Sequence, residues 1–265
     1  RFCDWSLDVC SSDLSFLIML LAFLCLAGAW EAFAQHGGFP PKLTPGLAAI
    51  FAALVRIAEN GALMQAVAST LYRLLLGFGL AAAIGVLVGG LMGRKQWIED
   101  AALPIVSFLY PIPGLAYAPL FVLWFGLGDF PTILLVGISS SLVIILNSWK
   151  GVKSVKQIWL RSAEVMGAGD RAMLRHIVLP GALPYVLVGL RLGLANAWRI
   201  LIAVEMLMSV QTGLGWLIFG AQTFLNTDVM LATIAVIGLI GVLLEKQVFE
   251  RIERATIVRW GMATA

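Results

Sequence analysis

Charge is scarce in this chain. Of its 265 residues only 12% are Asp, Glu, Lys or Arg, while 60% are hydrophobic. Soluble domains carry about a quarter charged residues, so an ordinary water-soluble domain is excluded. The 18 basic and 15 acidic residues leave a net charge of +3, too small an excess for a nucleic-acid surface. Histidine is rarer still: His36 and His176 stand far apart and offer neither a metal pair nor a His-based triad. Of the three cysteines, Cys3 and Cys10 fall in the first 14 residues and Cys25 lies in an apolar run, so no disulfide framework or metal knuckle follows. A phosphate-binding Walker loop is also missing, because Gly151-Val152-Lys153-Ser154 lacks the Gly-Lys-Ser/Thr ending. With no convergent acids, nucleophiles or metal ligands, a membrane-embedded enzyme is disfavoured; the chain is expected to have no catalytic residues, no metal and no cofactor.

What is abundant is long apolar sequence, at a mean hydropathy of +0.94. A helix needs about 20 apolar residues to cross a bilayer core of about 30 Å. Six segments reach or approach this: Ser15 to Ala34, Thr70 to Met92, Ala101 to Phe125, Thr132 to Trp149, Leu183 to Met208 and Val229 to Phe249. Barrel strands would be shorter and alternating, so the fold class is all-α, a polytopic membrane protein of about six transmembrane helices. Lys and Arg collect on the inner side of a membrane. Arg94 and Lys95, then Lys150, Lys153, Lys156, Arg161, Arg171 and Arg175, then Lys246, Arg251, Arg254 and Arg259 follow the even-numbered spans, against Lys42 and Arg56 on the other side. Both termini are therefore expected in the cytoplasm, and the two histidines on opposite faces.

The expected organisation has four parts. Residues 1–14 read as a non-native leader resembling a translated adapter; 15–69 as a first transmembrane helix with an outer connection; 70–250 as the transmembrane core; and 251–265 as a cytoplasmic tail. Within the outer connection, Gly37-Gly38-Phe39-Pro40-Pro41 reads as a linker and Leu47 to Leu63 as an interfacial helix. The apolar connection Ser209 to Asp228, with Gly213-Leu214-Gly215-Trp216, is expected to hold a short helix of its own. No repeat of the inverted kind found in many secondary transporters is visible.

The connection Lys150 to Pro180 is the most informative. Val152, Val155, Trp159, Ala163 and Met166 recur at helical spacing opposite Lys153, Lys156, Gln157, Arg161 and Glu164. Gly167-Ala168-Gly169 should stop this helix. Asp170 is the expected N-cap of a second short helix carrying Met173, Leu174 and Ile177 and ended by Leu179-Pro180. An apolar patch in a basic surround suits either docking into a groove of a cytoplasmic partner or resting on anionic lipid.

Within the spans, charged residues are costly and mark either a bundle interior or a side chain reaching an interface. Arg191 and Arg199 lie near one face and would suit an anionic solute; Glu205 is read as extending to the outer interface, with the solute pathway as the alternative. Pro104, Pro111, Pro113 and Pro119 must bend or break the third span, making Tyr110, Pro111, Pro113 and Tyr117 candidates for a pathway wall or gate, or for a packed kink. Ala81, Gly85, Gly89 and Gly93, and Gly189, Gly193 and Ala197, form small-residue stripes for close packing within the chain or against a second copy. Ser139-Ser140-Ser141 either line a polar path or bond the preceding turn.

Gly167, Ile177, Leu179 and Pro180 reproduce the spacing of the signature of binding-protein-dependent ABC importer permeases, which this chain resembles. The motif's leading Glu-Ala-Ala is Arg161-Ser162-Ala163 here, and Glu164 stands near the same face. The stretches Thr70 to Arg73, Leu91 to Arg94, Pro111-Ile112-Pro113, Ala118 to Phe121, Leu123 to Gly126, Leu183 to Tyr185, Gly189 to Gly193, Ala203 to Met206 and Gly213 to Gly215 resemble the nitrate, sulfonate and taurine subgroup, whose Pro-Ile-Pro-Pro run is Pro-Ile-Pro-Gly here. The resemblance implies an inner-membrane subunit with a MetI-like permease core and cytoplasmic coupling helices between spans 4 and 5. It implies these partners: a cytoplasmic ABC ATPase, a periplasmic solute-binding protein, a second copy in a homodimer, and membrane lipid. The expected cargo is a small anionic solute of the nitrate, sulfonate or taurine kind. Ala163, Glu164, Gly167, Asp170, Ile177, Leu179 and Pro180 would form the ATPase-coupling site. An autonomous channel or secondary transporter is the alternative, and it would need no helix-Gly-helix docking loop.

Overall fold

The computed structural model describes residues 5–40, 42–208 and 211–249. Residues 1–4 of the expected leader, Ser209 and Val210 in the apolar connection, and the expected tail 251–265 lie outside the described residues. Among the described residues every regular element is helical: α1 (Trp5–His36), α2 (Leu47–Glu59), α3 (Ala62–Arg94), α4 (Gln96–Leu109), α5 (Ala118–Phe125), α6 (Asp129–Lys153), α7 (Gln157–Val165), α8 (Asp170–Met173), α9 (Leu179–Leu207), α10 (Leu214–Thr223) and α11 (Thr227–Leu243). Four helical stretches, Ala62–Arg94, Asp129–Lys153, Asp170–Leu207 and Thr227–Lys246, are long and apolar enough to cross a membrane. Gln96–Leu109 and Gly114–Phe125 would make a fifth as one span bent by 89°. The first expected span, 15–34, falls inside α1, which is continuous through residues 5–14 as well.

The chain forms two compact units. One comprises residues up to Ala62 with Ile218–Ala235. In it, Glu31 Oε2 accepts from the Leu47 amide at 2.8 Å and so caps the start of α2, whose own N-cap, Gly46, has no side chain to do so. Trp30 Nε1 donates to the Pro45 carbonyl at 3.1 Å, and Thr227 Oγ1 donates to the Lys42 carbonyl.

The other unit comprises Leu63–Leu217 and the chain from Val236 on. Its centre is α6, which contributes Val136, Leu135 and Ile145 to three apolar clusters built with α3, α9 and α10, with α5 and α9, and with α3 and α4. Both small-residue stripes turn toward α6: a Cβ on Gly85 would lie 2.4 Å from Ile144 Cβ, one on Gly89 2.4 Å from the Ile145 carbonyl oxygen, and one on Gly193 2.6 Å from Ile144 Cγ1. Their use is packing within the chain, where the missing side chains let helix backbones meet.

The third span breaks where its prolines demand. Pro104 is tolerated inside α4, but Pro111 and Pro113 cannot donate to the preceding turn, and α4 stops at Leu109. A single 3₁₀ turn, Gly114–Tyr117, then starts α5, with Pro119 in the first turn where its missing donor costs nothing.

Candidate functional site

The segment expected to couple to an ATPase is built by a helix stop. After α7, Gly167 takes φ +79, its amide donates to the Glu164 carbonyl at 2.9 Å, and the Ala168 amide donates to the Ala163 carbonyl at 3.0 Å. This paired closure is the Schellman arrangement, and it needs a residue at ease in the left-handed region. Ala163 is buried at the turn, while Glu164 and Gly167 are exposed.

Two details correct the sequence reading. Asp170 is the first residue of α8, and the cap position is Gly169, with no side-chain cap bond. Nor does the second helix end at Leu179-Pro180: it runs on as one 38-residue helix, Asp170–Leu207. The physical reason is the π-helical turn Leu174–Val178 just ahead of Pro180. A proline ring clashes with the carbonyl four residues back, and widening the preceding turn removes both the clash and the missing bond. Val155, Ala163 and Val178 are buried, but Val165 and Met166, 88% and 80% exposed, and Ile158, Trp159 and Leu179 remain uncovered. Ile177 and Pro180 are half-buried and Asp170 is exposed. These uncovered apolar side chains belong to a segment that also carries Arg161, Arg171 and Arg175.

The second candidate is a partly open cavity of ≈ 360 Å³ lined by the break after α4, by α6 and by α9. It gathers Tyr110, Pro111, Pro113, Tyr117, Ser139 and Arg199, six of the residues singled out in the sequence, and adds Asn196. The helical spacing is the reason: Ser139, Leu142 and Val143 share one face of α6, and Leu192, Asn196 and Arg199 one face of α9. Of the three serines, Ser141 Oγ donates back to the Ile138 carbonyl at 2.8 Å, whereas Ser139 faces the cavity.

Arg191 and Glu205 are not brought to this cavity. Arg191 turns to Glu245, Nη2 to Oε1 at 2.9 Å, on an exposed face. Glu205 does not extend outward as the sequence reading favoured; it is completely buried. Its Oε1 accepts from Arg73 Nη1 at 2.7 Å and its Oε2 from the Gly215 amide at 3.0 Å, while Thr70 Oγ1 donates at 3.0 Å. Arg73 in turn donates from Nε to Asp129 Oδ1 and from Nη1 to the Thr212 carbonyl, both at 2.7 Å. Thr70 Oγ1 accepts from the Leu214 amide at 2.9 Å. The network pins the start of α10 to α3 and α9, and it explains Gly213-Leu214-Gly215: a Cβ on Gly213, at φ +137, would lie 2.6 Å from the Glu205 carboxylate. Arg73 and Asp129 escaped the sequence reading because α3 begins at Ala62, eight residues earlier than the span drawn from Thr70. A charge that looked terminal is in fact inside the helix. The i, i+3 pair Thr70 and Arg73, both polar in an apolar run, is the signal that marks it.

Comparison with known proteins bears on these features. Residues 81–253 match the family described as binding-protein-dependent transport system inner membrane component. The chain is 40% identical over 186 residues, 70% of its length and 67% of the relative's, to the taurine transport system permease protein TauC of Escherichia coli (strain K12). It is 30% identical to the putative aliphatic sulfonates transport permease protein SsuC of the same strain, over 90% of this chain and 89% of the relative. It is 34% identical to the bicarbonate transport system permease protein CmpB of Synechococcus elongatus, over 76% and 70%. Its fold is similar to a chain in the inward-facing MetNI methionine ABC transporter, at a TM-score of 0.64 and 19% identity over 74% of this chain and 96% of that one. Permeases of this family are transport components rather than enzymes, and work with a separate ATPase subunit and a binding protein. The family match covers most of the chain and agrees with the multi-pass helical fold: this chain belongs to the binding-protein-dependent transport system inner membrane component family, the permeases of ABC importers.

Proposed function

We propose that this permease acts as a homodimer in the inner-membrane lipid, with both termini cytoplasmic, and carries a small anion of the nitrate, sulfonate or taurine type. The solute is handed over by a periplasmic binding protein and passes the wall formed by Tyr110, Pro111, Pro113, Tyr117 and Arg199. The cytoplasmic ATPase docks on the segment from α7 to the start of α9, where Ala163, Glu164, Gly167, Asp170, Ile177, Leu179 and Pro180 stand. The observation that carries this reading is that segment: a glycine-stopped helix with Val165, Met166 and Leu179 uncovered amid basic residues. Anionic cargo is supported by Arg199 at the cavity and by the taurine, sulfonate and bicarbonate named for the relatives. The homodimer is supported by α11, which leaves most of its apolar surface uncovered.

The experiment is co-purification of the full chain with an ABC ATPase from the same genome, comparing wild type with Met166→Asp and Leu179→Asp. Loss of the ATPase with the chain still folded supports docking there. Full retention by both variants would place the interface elsewhere. Mass measurement of the complex in lipid nanodiscs reads the copy number directly.

A further inference from the structure

We propose that Glu99 and Lys153 form the joint through which a displacement of the α7 segment moves α4, which makes Glu99 a positioning residue for transport. The inference rests on the docking reading above and carries it from the cytoplasmic surface to the α4–α5 break. Lys153 is the last residue of α6, and three residues separate it from α7. Toward α3 and α9 this end of α6 and the start of that connection are packed at backbone distance. A Cβ on Gly93 would lie 2.4 Å from Val152 Cβ, one on Gly151 2.9 Å from the Ala182 carbonyl oxygen, and one on Gly181 3.1 Å from Val155 Cγ2. Packing this close transmits a displacement instead of absorbing it.

Toward α4 the same end reaches out with a long side chain. Lys153 Nζ stands 2.5 Å from Glu99 Oε2 and donates to Gln96 Oε1 at 3.4 Å. Glu99 lies in the first turn of α4 and is only 9% exposed. A carboxylate so nearly sealed needs a counter-charge, and among the described residues Lys153 is the cation that pairs with it. Because the lysine is itself 41% exposed, the pair adds little to stability. What it does supply is a fixed link between two helix ends. Seven residues on, about 10 Å along the helix, Val106 is buried against Met92 of α3 and Ile145 of α6. That contact is apolar and non-directional, so it bears the helix without fixing its tilt. Beyond it α4 ends at Leu109, and Tyr110, Pro111 and Pro113 stand on the cavity wall. Gripped at one end and resting on a bearing further along, α4 is a lever whose far end is the break. Chains of packed side chains and ion pairs are what carry coupling between distant sites.

The test follows α4 directly and needs no solute. The full chain, with its cysteines replaced by serine, carries spin labels at Phe108 on α4 and Phe130 on α6, both exposed. It is purified in nanodiscs with an ABC ATPase from the same genome, labelled copies being diluted with unlabelled ones. The distance between the labels is measured by pulsed electron paramagnetic resonance with ADP and again with ATP and vanadate. With Glu99 and Lys153 in place the distance is expected to shift between the two states. Glu99→Gln should lose more than half of that shift while retaining the ATPase, and Lys153→Gln, which keeps the carboxylate, should do the same. The exchange of Glu99→Lys with Lys153→Glu should restore most of it. A merely structural pair would lower the melting point in the single variants and leave the shift intact. A full shift in Glu99→Gln or Lys153→Gln with the ATPase retained overturns the joint and leaves docking standing. So does the absence of any shift in a chain that has both residues and retains the ATPase, since α4 would then not respond at all. A chain with both residues that retains no ATPase overturns the docking reading, and the joint with it.

Discussion

Arg73 Nη1 donates to Glu205 Oε1 across 2.7 Å with the two side chains 3% and 0% exposed, so a full ion pair is sealed between α3 and α9. The desolvation of both charges is offset by further bonds rather than by the pair alone: Thr70 and the Gly215 amide complete the carboxylate, and Asp129 and Thr212 complete the guanidinium. Removing Arg73 leaves the Glu205 carboxylate buried without a counter-charge, whereas removing Glu205 leaves Arg73 with Asp129. Arg73→Met should destabilise the chain by about 3–5 kcal/mol and Glu205→Leu by less, and adding Glu205→Leu to Arg73→Met should recover much of the loss. Thermal unfolding in nanodiscs across the double-mutant cycle is the measurement. Additive losses would show that the two charges are not coupled.

The Arg191 and Glu245 pair is the comparison. At 2.9 Å its geometry is similar, but the side chains are 46% and 56% exposed. Exposed pairs contribute about 0–1 kcal/mol, so the same cycle at Arg191→Gln and Glu245→Gln should give a coupling several times smaller than that of the buried pair.

Gly213 sits against that buried carboxylate. Gly213→Ala combines a backbone at φ +137 with a Cβ 2.6 Å from Glu205, and should destabilise by about 2 kcal/mol or more, since a strained conformation alone costs about 1–3 kcal/mol. Gly220, within α10 and with nothing inside 4 Å of where a Cβ would stand, should accept Ala with a gain of about 0.5–1 kcal/mol from helix propensity. Melting points of the two variants decide between them, and equal tolerance at both positions would contradict the packing described.

These contrasts show what was legible in the sequence. Hydropathy reads off the helices, because a spanning segment must be apolar along its whole length. The α4–α5 break is legible because proline acts locally, through its own missing donor. The Gly167 stop is legible for a similar reason. The partner of Glu205 was not, since it comes from 132 residues away and its helix begins before the apolar run does. Nor was the continuity of α8 into α9, which depends on a widened turn that no residue type announces. At the cavity, the sequence offered Tyr110, Tyr117 and Arg199 as separate suspicions, and Ser139 only as one of three equivalent hydroxyls. Which serine turns inward is set by the rotation of α6, and that is fixed by where the small-residue stripes of α3 and α9 let it settle.

Those stripes themselves make a prediction. Gly85 and Gly90 both lie in α3, yet a Cβ on Gly85 would press to 2.4 Å from Ile144 Cβ while one on Gly90 would meet nothing within 4 Å. Gly85→Ala should therefore cost about 1–3 kcal/mol through overpacking, and Gly90→Ala should be neutral or stabilising by about 0.5–1 kcal/mol. Thermal unfolding of the two variants in nanodiscs checks it.

The last prediction concerns the helix stop. Gly167 at φ +79 and Gly169 at φ −71 are near neighbours, and neither would press a Cβ against anything within 4 Å. Space is thus equal at the two positions, and only backbone conformation separates them. Gly167→Ala must hold a non-glycine residue in the left-handed region, at about 1–2 kcal/mol, or else let α7 run on past its stop. Gly169→Ala keeps an ordinary conformation and should leave the segment intact. Gly167→Pro cannot reach φ +79 at all, and should abolish ATPase retention while the chain still inserts and folds. The measurement is ATPase co-purification for the three variants, with the melting point of the chain alone as the control. Retention falling in the order Gly169→Ala, Gly167→Ala, Gly167→Pro at similar melting points would mean that the turn acts on docking and not on folding. Equal retention by all three would show that the ATPase reads the apolar strip without needing the turn that presents it.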